Sequence, residues 1–322
     1  MKRLFLAAAA IILLPHVALA QSYPDRTINM VVPFAAGGPT DTVARLIAES
    51  MSKELGQQVI VENVGGAGGT LGAGRVAKAE PDGYTVLLHH IGMATSASLY
   101  RKLAYDPRTD FAAIGLVTDV PMTLVARADL EPADGKALVD YIKANGDKIS
   151  YANAGIGSAS HLCGMMLMNA LQVQMTTIPY KGTGPAMTDL LGGQIDLLCD
   201  QTTNTTSHIK AGKVKAYAVT TPARLAALPD VPTTEEIGIQ NFQVAVWHGL
   251  YGPKGTPPEA IEKLSAALKV ALKDPKVIER FAELGTEPVA DDRATPEALS
   301  AHLAAEIDRW KPIIDAAGVY AD

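Results

Sequence analysis

Residues 28–41 read INMVVPFAAGGPTD, and this stretch decides the fold. Its first part, Ile28 to Phe34, is a mostly apolar run that is typical of a buried strand. The turn from Gly37 to Thr40 then breaks the strand. From Asp41 to Leu55 apolar residues recur on one helical face, and Thr40 is available as the N-cap. The chain therefore opens with a strand, a glycine-rich turn and a helix.

The same alternation continues along the chain. A second glycine-rich turn, Gly155 to Ser158, leads from a strand into a helix rich in Leu and Met. Short apolar runs predict further strands at 59–64, 84–89, 123–127, 149–153, 177–180, 195–200, 215–220 and 244–251. Strands that alternate with helices indicate an α/β fold with a parallel sheet and helices on its faces.

The pattern divides into two similar halves, each of which opens with a strand and a glycine-rich turn. The last third carries helices but few strands, and we expect it to pack on the first half. Its predicted helix starts are a capping box at 256–259 and a cap at Thr295 followed by Pro296. We therefore predict two domains, residues 21–122 together with 244–322 and residues 123–243. Two crossing strands, near 121–127 and 244–251, join them beside a cleft.

Composition excludes several classes of protein. The 322 residues contain 28 Lys and Arg against 34 Asp and Glu, a net charge of −6. Hydrophobic residues make up 48% and charged residues 19%, which is ordinary for a globular protein and excludes disordered, collagen-like and coiled-coil chains. The acidic balance argues against a nucleic-acid partner, because neutralising phosphates requires a basic surface.

The first twenty residues predict export. Lys2 and Arg3 precede a continuous apolar run from Leu4 to Leu14, and residues 18–20 form a small-x-small cleavage site. This run is too short to span a bilayer, which takes about 20 residues. We expect cleavage near Ala20 and a soluble mature protein in the periplasm.

The sequence contains two cysteines, Cys163 and Cys199. Export makes a disulfide chemically permissible. Two cysteines are too few for a disulfide scaffold, and a large domain does not need one. We therefore favour two buried thiols, with a bridge as the alternative.

Four predicted strand ends carry distinctive residues: 34–41, 89–90, 155–161 and 200–204. Ligands of open parallel sheets bind beyond the carboxyl ends of strands. Glycine-rich turns before helices direct free N–H groups and a positive dipole end toward a ligand, so two such turns across a cleft could hold two carboxylates. The alternative is that they are only tight turns. The candidate ligand-binding residues are Phe34, Ala36, Gly37, Gly38, Thr40, Asp41, His89, Gly155, Gly157, Ser158, Ala159, His161, Asp200 and Thr202.

Two of these candidates leave alternatives open. His89 and His90 are neighbours in a strand and point to opposite faces, so whichever faces the cleft could donate a hydrogen bond to a carboxylate. Asp200 could accept a hydrogen bond from the ammonium group of an amino-acid ligand. It could instead fix Thr202, Thr203 or an ordered water.

Other motifs are weak, and we expect no catalytic residue, no metal and no cofactor. The pattern at 72–77 matches a dinucleotide fingerprint but does not directly follow a strand. Ser158, Ser160 and His161 look like parts of a hydrolase, yet no G-x-S-x-G elbow frames them. His89 and His90 diverge on a strand, and His161 and Cys163 diverge on a helix, so neither pair forms a metal site.

Stretches along almost the whole mature chain resemble the Bug-type extracytoplasmic solute receptors, the periplasmic binding proteins of tripartite tricarboxylate transporters. The matching stretches are 23–26, 32–38, 61–63, 66–69, 81–84, 179–182, 189–196, 228–233 and 253–257. The resemblance implies a Venus-flytrap fold, type II-like, with two α/β domains that grip the ligand between loops 34–41 and 155–158. Segments 89–93 and 199–206 are similar to the branch named for aspartate binding.

The resemblance also implies a function. The chain is expected to be a non-enzymatic, monomeric receptor that captures a small carboxylate and delivers it to the membrane permease subunits of such a transporter. The expected ligand is a dicarboxylate or an acidic amino acid such as aspartate, with an aromatic dicarboxylate as a further candidate. The alternatives are a secreted serine hydrolase using Ser158 or Ser160 with His161, and a receptor for a signalling kinase.

Overall fold

A computed structural model describes residues 23–318 and 320–321 of the chain. The predicted signal sequence, residues 1–20, lies outside the described residues. Within the described part, no helix is both long enough and apolar enough to cross a membrane.

Nine strands and ten α-helices make up the described part of the chain, and they alternate as the sequence predicts. The strands are β1 (Ile28–Val32), β2 (Val59–Asn63), β3 (Thr85–His90), β4 (Phe111–Arg127), β5 (Ser150–Asn153), β6 (Thr176–Pro179), β7 (Leu197–Gln201), β8 (Val214–Val219) and β9 (Ala245–Pro253). The helices are α1 (Pro39–Leu55), α2 (Thr70–Ala77), α3 (Gly92–Leu99), α4 (Gly135–Asn145), α5 (Ala159–Leu171), α6 (Thr183–Leu191), α7 (Thr202–Lys210), α8 (Pro258–Lys273), α9 (Pro275–Glu283) and α10 (Pro296–Ala317).

The strands form one continuous sheet that serves two lobes. The strand order is β2-β1-β3-β9-β4-β7-β5-β6, and β8 also pairs with β4. We call first lobe the part built on β1–β3, β9 and β4 up to Pro121, with α1–α3 and α8–α10. The second lobe is built on the rest of β4 and on β5–β8, with α4–α7. The pairs β1–β2, β1–β3, β5–β6 and β5–β7 are parallel, so the predicted α/β class is confirmed.

Strand β4 is the element that passes from one lobe to the other. Up to Pro121 it pairs with β9, and Pro121 lies opposite Ala245. From Met122 onward it pairs with β7 and β8 instead. Proline has no N–H to donate, which suits the point where the ladder changes partner. Sequence predicted only 123–127 as strand, because Gly115, Pro121 and two register shifts obscure the alternation in the first part of β4.

The first lobe is held by apolar layers on both faces of its sheet. Met30 and Val32 of β1 pack toward α1 and α8, where Ile47 and Leu268 are fully buried. On the other face α10 packs on α3 and β4. The C-terminal helices therefore belong to the first lobe.

The helix N-termini test the two capping signals that were predicted from the sequence. The Thr295 hydroxyl accepts a hydrogen bond from the Ala298 N–H, so the predicted cap of α10 is confirmed. The capping box at 256–259 is wrong. Pro257 is the N-cap of α8, and the Thr256 hydroxyl donates to the Pro253 carbonyl oxygen at 2.8 Å. The sequence places two prolines at 257–258, and their fixed φ angle starts the helix without a side-chain cap.

Cys163 and Cys199 form a disulfide, so our preference for two free thiols is wrong. Cys163 lies on α5 and Cys199 on β7, with their Cα atoms 6.1 Å apart, which is within the usual range for a bridge. Both residues are almost fully buried. The parallel pairing of β5 with β7 brings α5 over β7, which their separation of 36 residues did not reveal. The bridge ties the two elements together.

Candidate functional site

A small cavity lies between the two lobes, close to the carboxyl ends of β3, β5 and β7. Its lining combines small apolar side chains with hydroxyl, imidazole, carboxyl and carboxamide groups. The lining residues are Phe34, Pro39, Thr40, His90, Ala154, Ser158, Ala159, Ser160, Thr183, Asp200 and Gln201. The first four belong to the first lobe and the rest to the second, so the site exists only where the lobes meet.

Four helices begin at this cavity: α1, α5, α6 and α7. The first N–H groups of a helix have no partner within the helix, and the helix dipole places partial positive charge there. No side chain caps α1, α6 or α7, whose N-caps are Gly38, Gly182 and Gln201. Such a convergence of helix N-termini favours a negatively charged ligand.

Asp41 stabilises the loop that leads into α1. Its carboxylate accepts hydrogen bonds from the Gly37 N–H, from the Asn63 amide and from two nitrogens of Arg45, all at 2.9–3.0 Å. Burial raises the pKa of Asp41, but the bonds from Arg45, Gly37 and Asn63 outweigh burial and leave the pKa below its usual value. Asp41 is therefore a charged loop anchor, and it does not line the cavity.

The loop before α5 is held by its own side chains. The Asn153 carboxamide oxygen accepts from the Gly155 N–H, and the Ser160 hydroxyl accepts from the Ala154 N–H. The Ser158 hydroxyl caps α5 by accepting from the His161 backbone N–H at 3.3 Å and lies 3.2 Å from the Ser160 hydroxyl. The His161 ring nitrogen Nδ1 accepts from the Gly157 N–H at 3.4 Å. The two serines thus serve the helix start and do not form a serine–histidine pair.

Of the two neighbouring histidines, His90 faces the cavity. Its ring stacks on Phe34 with centroids 4.6 Å apart, and its Nδ1 accepts from the Gly92 N–H. This bond leaves the proton of the neutral ring on Nε2, where it can be donated. Burial, with the nearby His89 and His248, holds the pKa of His90 well below its usual value, so the ring is neutral.

The His89 ring lies 5.0 Å from that of His90 and packs against Gly69, and it does not line the cavity. Its Nδ1 accepts from the His90 N–H, and its Nε2 has no partner within the described residues. The sequence alone did not decide which of the two histidines lines the cavity.

Asp200 is the one acidic residue among those that line the cavity. It is only 1% exposed. One carboxylate oxygen accepts from the Thr183 hydroxyl at 3.0 Å and the other from the Asn204 amide at 2.6 Å. Burial raises its pKa to about 6, despite these bonds. Next to it, Gln201 is 2% exposed, and its side-chain oxygen Oε1 has no partner within the described residues.

Backbone contacts close the lobes around the cavity. The Ala35 N–H donates to the Lys181 carbonyl oxygen at 2.9 Å. On α6, a Cβ added to Gly184 would lie 2.7 Å from the Ala36 carbonyl oxygen, so only glycine allows this approach. On the other side of the cavity the Tyr100 and Thr95 hydroxyls donate to the carbonyl oxygens of Ile156 and Gly157. The structure is a closed form.

The closed cavity is small. The space open to the centre of a water molecule is about 10 Å³, room for about one water. A four-carbon dicarboxylate does not fit this volume. Ligand binding therefore requires the lobes to separate or the lining side chains to move.

The structure brings five of the predicted residues to the cavity: Phe34, Thr40, Ser158, Ala159 and Asp200. The others lie around it. Ala36 and Gly37 line an open groove that the two lobes share at their boundary, Gly38 approaches Gly184, and Gly155 approaches Gly68. Three of the remaining predicted residues, Asp41, His89 and His161, bond within their own loop or lobe. The other two contact the first lobe from the second: the Gly157 carbonyl oxygen accepts from the Thr95 hydroxyl, and the Thr202 hydroxyl donates to the Gly285 carbonyl oxygen.

Sequence reasoning missed Thr183, Gln201, Ser160 and the buried His248. Thr183 follows Gly182 in a third glycine-containing strand-to-helix turn, a signal that was present. His248 lies on β9 with its Nε2 3.3 Å from the Thr40 hydroxyl. No spacing pattern linked it to residue 40, because the two are 208 positions apart.

The described residues contain no group of three His, Cys, Asp or Glu side chains that could hold a metal ion.

Comparison with known proteins adds the family. Residues 43–319 match the family model described as "Tripartite tricarboxylate transporter family receptor". The chain is 60% identical over 307 residues to a protein of Agrobacterium vitis encoded in the TAR-I ttuE-ttuC' intergenic region, covering 95% of this chain and 89% of that protein.

Solved structures agree in fold. The periplasmic binding protein BugD is 57% identical with a TM-score of 0.91, and the match covers 92% of this chain and 99% of that one. MatC from Rhodopseudomonas palustris, solved with bound malate, is 43% identical with a TM-score of 0.87 and coverages of 91% and 100%. The two-domain Venus-flytrap architecture expected from the resemblance is confirmed.

Proposed function

Since the chain belongs to the tripartite tricarboxylate transporter family of receptors, we propose that it captures a dicarboxylate or an acidic amino acid such as aspartate between its lobes. It then delivers this ligand to the membrane permease of such a transporter. The family consists of receptors, so the chain is not an enzyme. Its place of work in this proposal is the periplasm.

One observation carries the proposal: four helix N-termini from two lobes meet at a single closed cavity. The α1 start comes from the first lobe, and the starts of α5, α6 and α7 come from the second. A ligand with two carboxylates can accept N–H groups from both lobes at once, whereas a monocarboxylate cannot span them. Because both lobes contribute, ligand binding and closure stabilise each other.

We also propose how the lobes divide and move. The domains are residues 21–122 with 244–322 and residues 123–243, and the hinge is where β4 changes partner beside Ala245. The change of partner at Pro121 supports this division. Bending of two adjacent strands is a small hinge motion of the kind that closes other two-lobed receptors. The permease would then recognise the closed form.

The ligand class rests on the anion-binding geometry and on the relatives. MatC, 43% identical, was solved with malate, a four-carbon dicarboxylate. The Ser158 and Ser160 hydroxyls bind the backbone and each other, which argues against the serine-hydrolase alternative.

A thermal-shift panel tests the proposal. L-aspartate, L-malate and succinate are each added separately to the purified protein. We expect at least one of them to raise the melting temperature of the protein. At a concentration 100 times Kd, the stabilisation is about 2.7 kcal/mol, a rise of about 5 °C. Acetate, with one carboxylate, is the control and should give no shift. A panel extended to adipate and phthalate without any shift contradicts the proposal.

A further inference from the structure

We infer that Asp200 and Gln201 form a subsite that selects ligands carrying an ammonium group beside their carboxylates. This inference rests on the proposed function and names the ligand class of the same cavity. It makes Asp200 a specificity-determining residue that favours acidic amino acids over hydroxylated or unsubstituted dicarboxylates.

The first step is the hydrogen-bonding capacity of the pair. The Asp200 carboxylate accepts hydrogen bonds from the Thr183 hydroxyl, the Asn204 amide and the Gln201 backbone N–H, and a carboxylate has about four acceptor positions, so room for one further donor remains. The side-chain oxygen Oε1 of Gln201, another residue that lines the cavity, is buried without a partner among the described residues. Buried acceptors without donors are costly, so a donor on the ligand would stabilise this wall of the cavity.

The second step is charge. Among the described residues that line the cavity, none is lysine or arginine. A dicarboxylate without a cation therefore places two negative charges near the Asp200 carboxylate with only helix N-termini to offset them. An α-ammonium group supplies a positive charge and three donors next to the same carboxylates, and it relieves this repulsion.

The third step is the ionisation of Asp200. Burial raises the pKa of its carboxyl to about 6, so the group is mostly ionised at pH 7 and mostly protonated at pH 5. Thr183 of α6, Asn204 of α7 and Gln201 face it without a charge. Burial also keeps its two titratable neighbours neutral, since it lowers the pKa of His90 and raises that of Tyr151.

Three ligands that differ in one group test the inference by isothermal titration calorimetry. L-aspartate, L-malate and succinate carry an ammonium, a hydroxyl and a hydrogen at the same carbon. We expect the wild type to bind aspartate most tightly at pH 7. Asp200→Asn should weaken aspartate binding by about 10- to 100-fold and leave succinate binding unchanged or tighter.

Asp189→Asn is the matched control. Asp189 lies on α6 in the open outer groove, where it accepts from the Tyr180 hydroxyl. We expect this variant to keep the wild-type order of the three affinities. Equal losses for all three ligands in Asp200→Asn mean a structural role for Asp200 and overturn the inference. Failure of the wild type to bind any ligand contradicts the proposed function itself.

A pH series on the wild type needs no variant. Aspartate affinity should be constant above the pKa of Asp200 and should fall up to tenfold per pH unit below it. His161 is a further titratable group near the loop, and it is present in both proteins. A pH dependence between pH 7 and 5 that is the same in Asp200→Asn overturns the inference.

Discussion

At the scale of residues, three buried histidines stand close together beside the ligand cavity. The His89 and His90 rings are 5.0 Å apart, and those of His90 and His248 are 5.9 Å apart. Burial lowers the pKa of His89 to about 3 and that of His248 to about 4. An unfolded chain protonates them near pH 6.5. Their contribution to stability is therefore present above pH 6.5 and is lost as the pH falls toward the folded values.

Asp200 acts in the opposite sense. Its folded pKa of about 6 lies above the unfolded value of 3.8, so the folded state binds the extra proton between these values. Its contribution favours folding below the unfolded value and is lost as the pH rises through about 6. Between these two pH values the proton that the folded state gains at Asp200 offsets about one of the three protons that the buried histidines lose on folding.

His89→Gln should make the protein less sensitive to acid. Removing one buried histidine removes about one excluded proton, or about 1.4 kcal/mol per pH unit below pH 6.5. Urea unfolding at pH 7, 6 and 5 measures the slope. His208→Gln, a half-buried residue on α7, is the control and should change the slope less. An unchanged slope in His89→Gln would show that His89 is not neutral in the folded protein.

The residue scale also shows where sequence reasoning reached the site. The two glycine-rich turns and Asp200 could be placed because turn residues and strand ends leave local signals. The choice between His89 and His90, and the role of Gln201 next to Asp200, depend on which face of a strand a residue occupies. That face is set by pairing with β9 and β4, which is not a local property.

At the scale of elements, tertiary contacts override weak local propensity. Helix α7 reads TTNTTSHIK, and because threonine is a poor helix former, no helix is predicted there from the sequence. In the structure the Thr206 hydroxyl donates to the Leu284 carbonyl oxygen, and the Thr123 and Thr205 hydroxyls lie 2.7 Å apart. These contacts hold α7 against the end of α9 and against β4. No local sequence pattern predicts them, because they join residues that are far apart in the chain.

The disulfide is the covalent link between two elements of the site. Removing it in the double variant Cys163→Ser, Cys199→Ser frees a loop of 37 residues in the unfolded chain. The expected loss is about 4 kcal/mol from chain entropy alone. Chemical denaturation of variant and wild type under the same oxidising conditions measures it. A loss below about 1 kcal/mol would contradict a structural role for the bridge.

At the scale of the whole molecule, the sequence was sufficient for two α/β lobes but not for their closed arrangement. Repeated strand-turn-helix units are local, whereas closure depends on backbone meeting backbone at Gly184 and Ala36 and at Gly155 and Gly68. A glycine that permits such an approach looks the same in the sequence as a glycine in an ordinary turn. The glycines at these lobe contacts are therefore visible only in the folded molecule.

Gly184→Ala should block closure without weakening either lobe. Its new methyl group would press on the Ala36 carbonyl oxygen across the boundary, while alanine is the better residue in helix α6 by about 1 kcal/mol. We expect affinity for the ligand found in the thermal-shift panel to fall by about tenfold or more, with unfolding stability of the free protein kept.

The control is Gly192→Ala at the end of α6, whose added methyl group would meet Thr188, Asp189 and Gln194 of the same lobe, all at 3.4 Å or more. Small-angle X-ray scattering with ligand should show an extended form for Gly184→Ala and a compact one for the control. Equal compaction of both would mean that the contact at Gly184 yields easily and does not limit closure.

The side-by-side position of Pro121 and Ala245 has a consequence for how such receptors can be changed. The chain enters the second lobe and leaves it at neighbouring points, so the two lobes are connected at one place. Recombination at these two positions could exchange the entire second lobe between relatives without new linkers. The binding residues of the second lobe would then be exchanged independently of those of the first lobe. A reporter group attached at these two positions would follow the movement of the exchanged lobe.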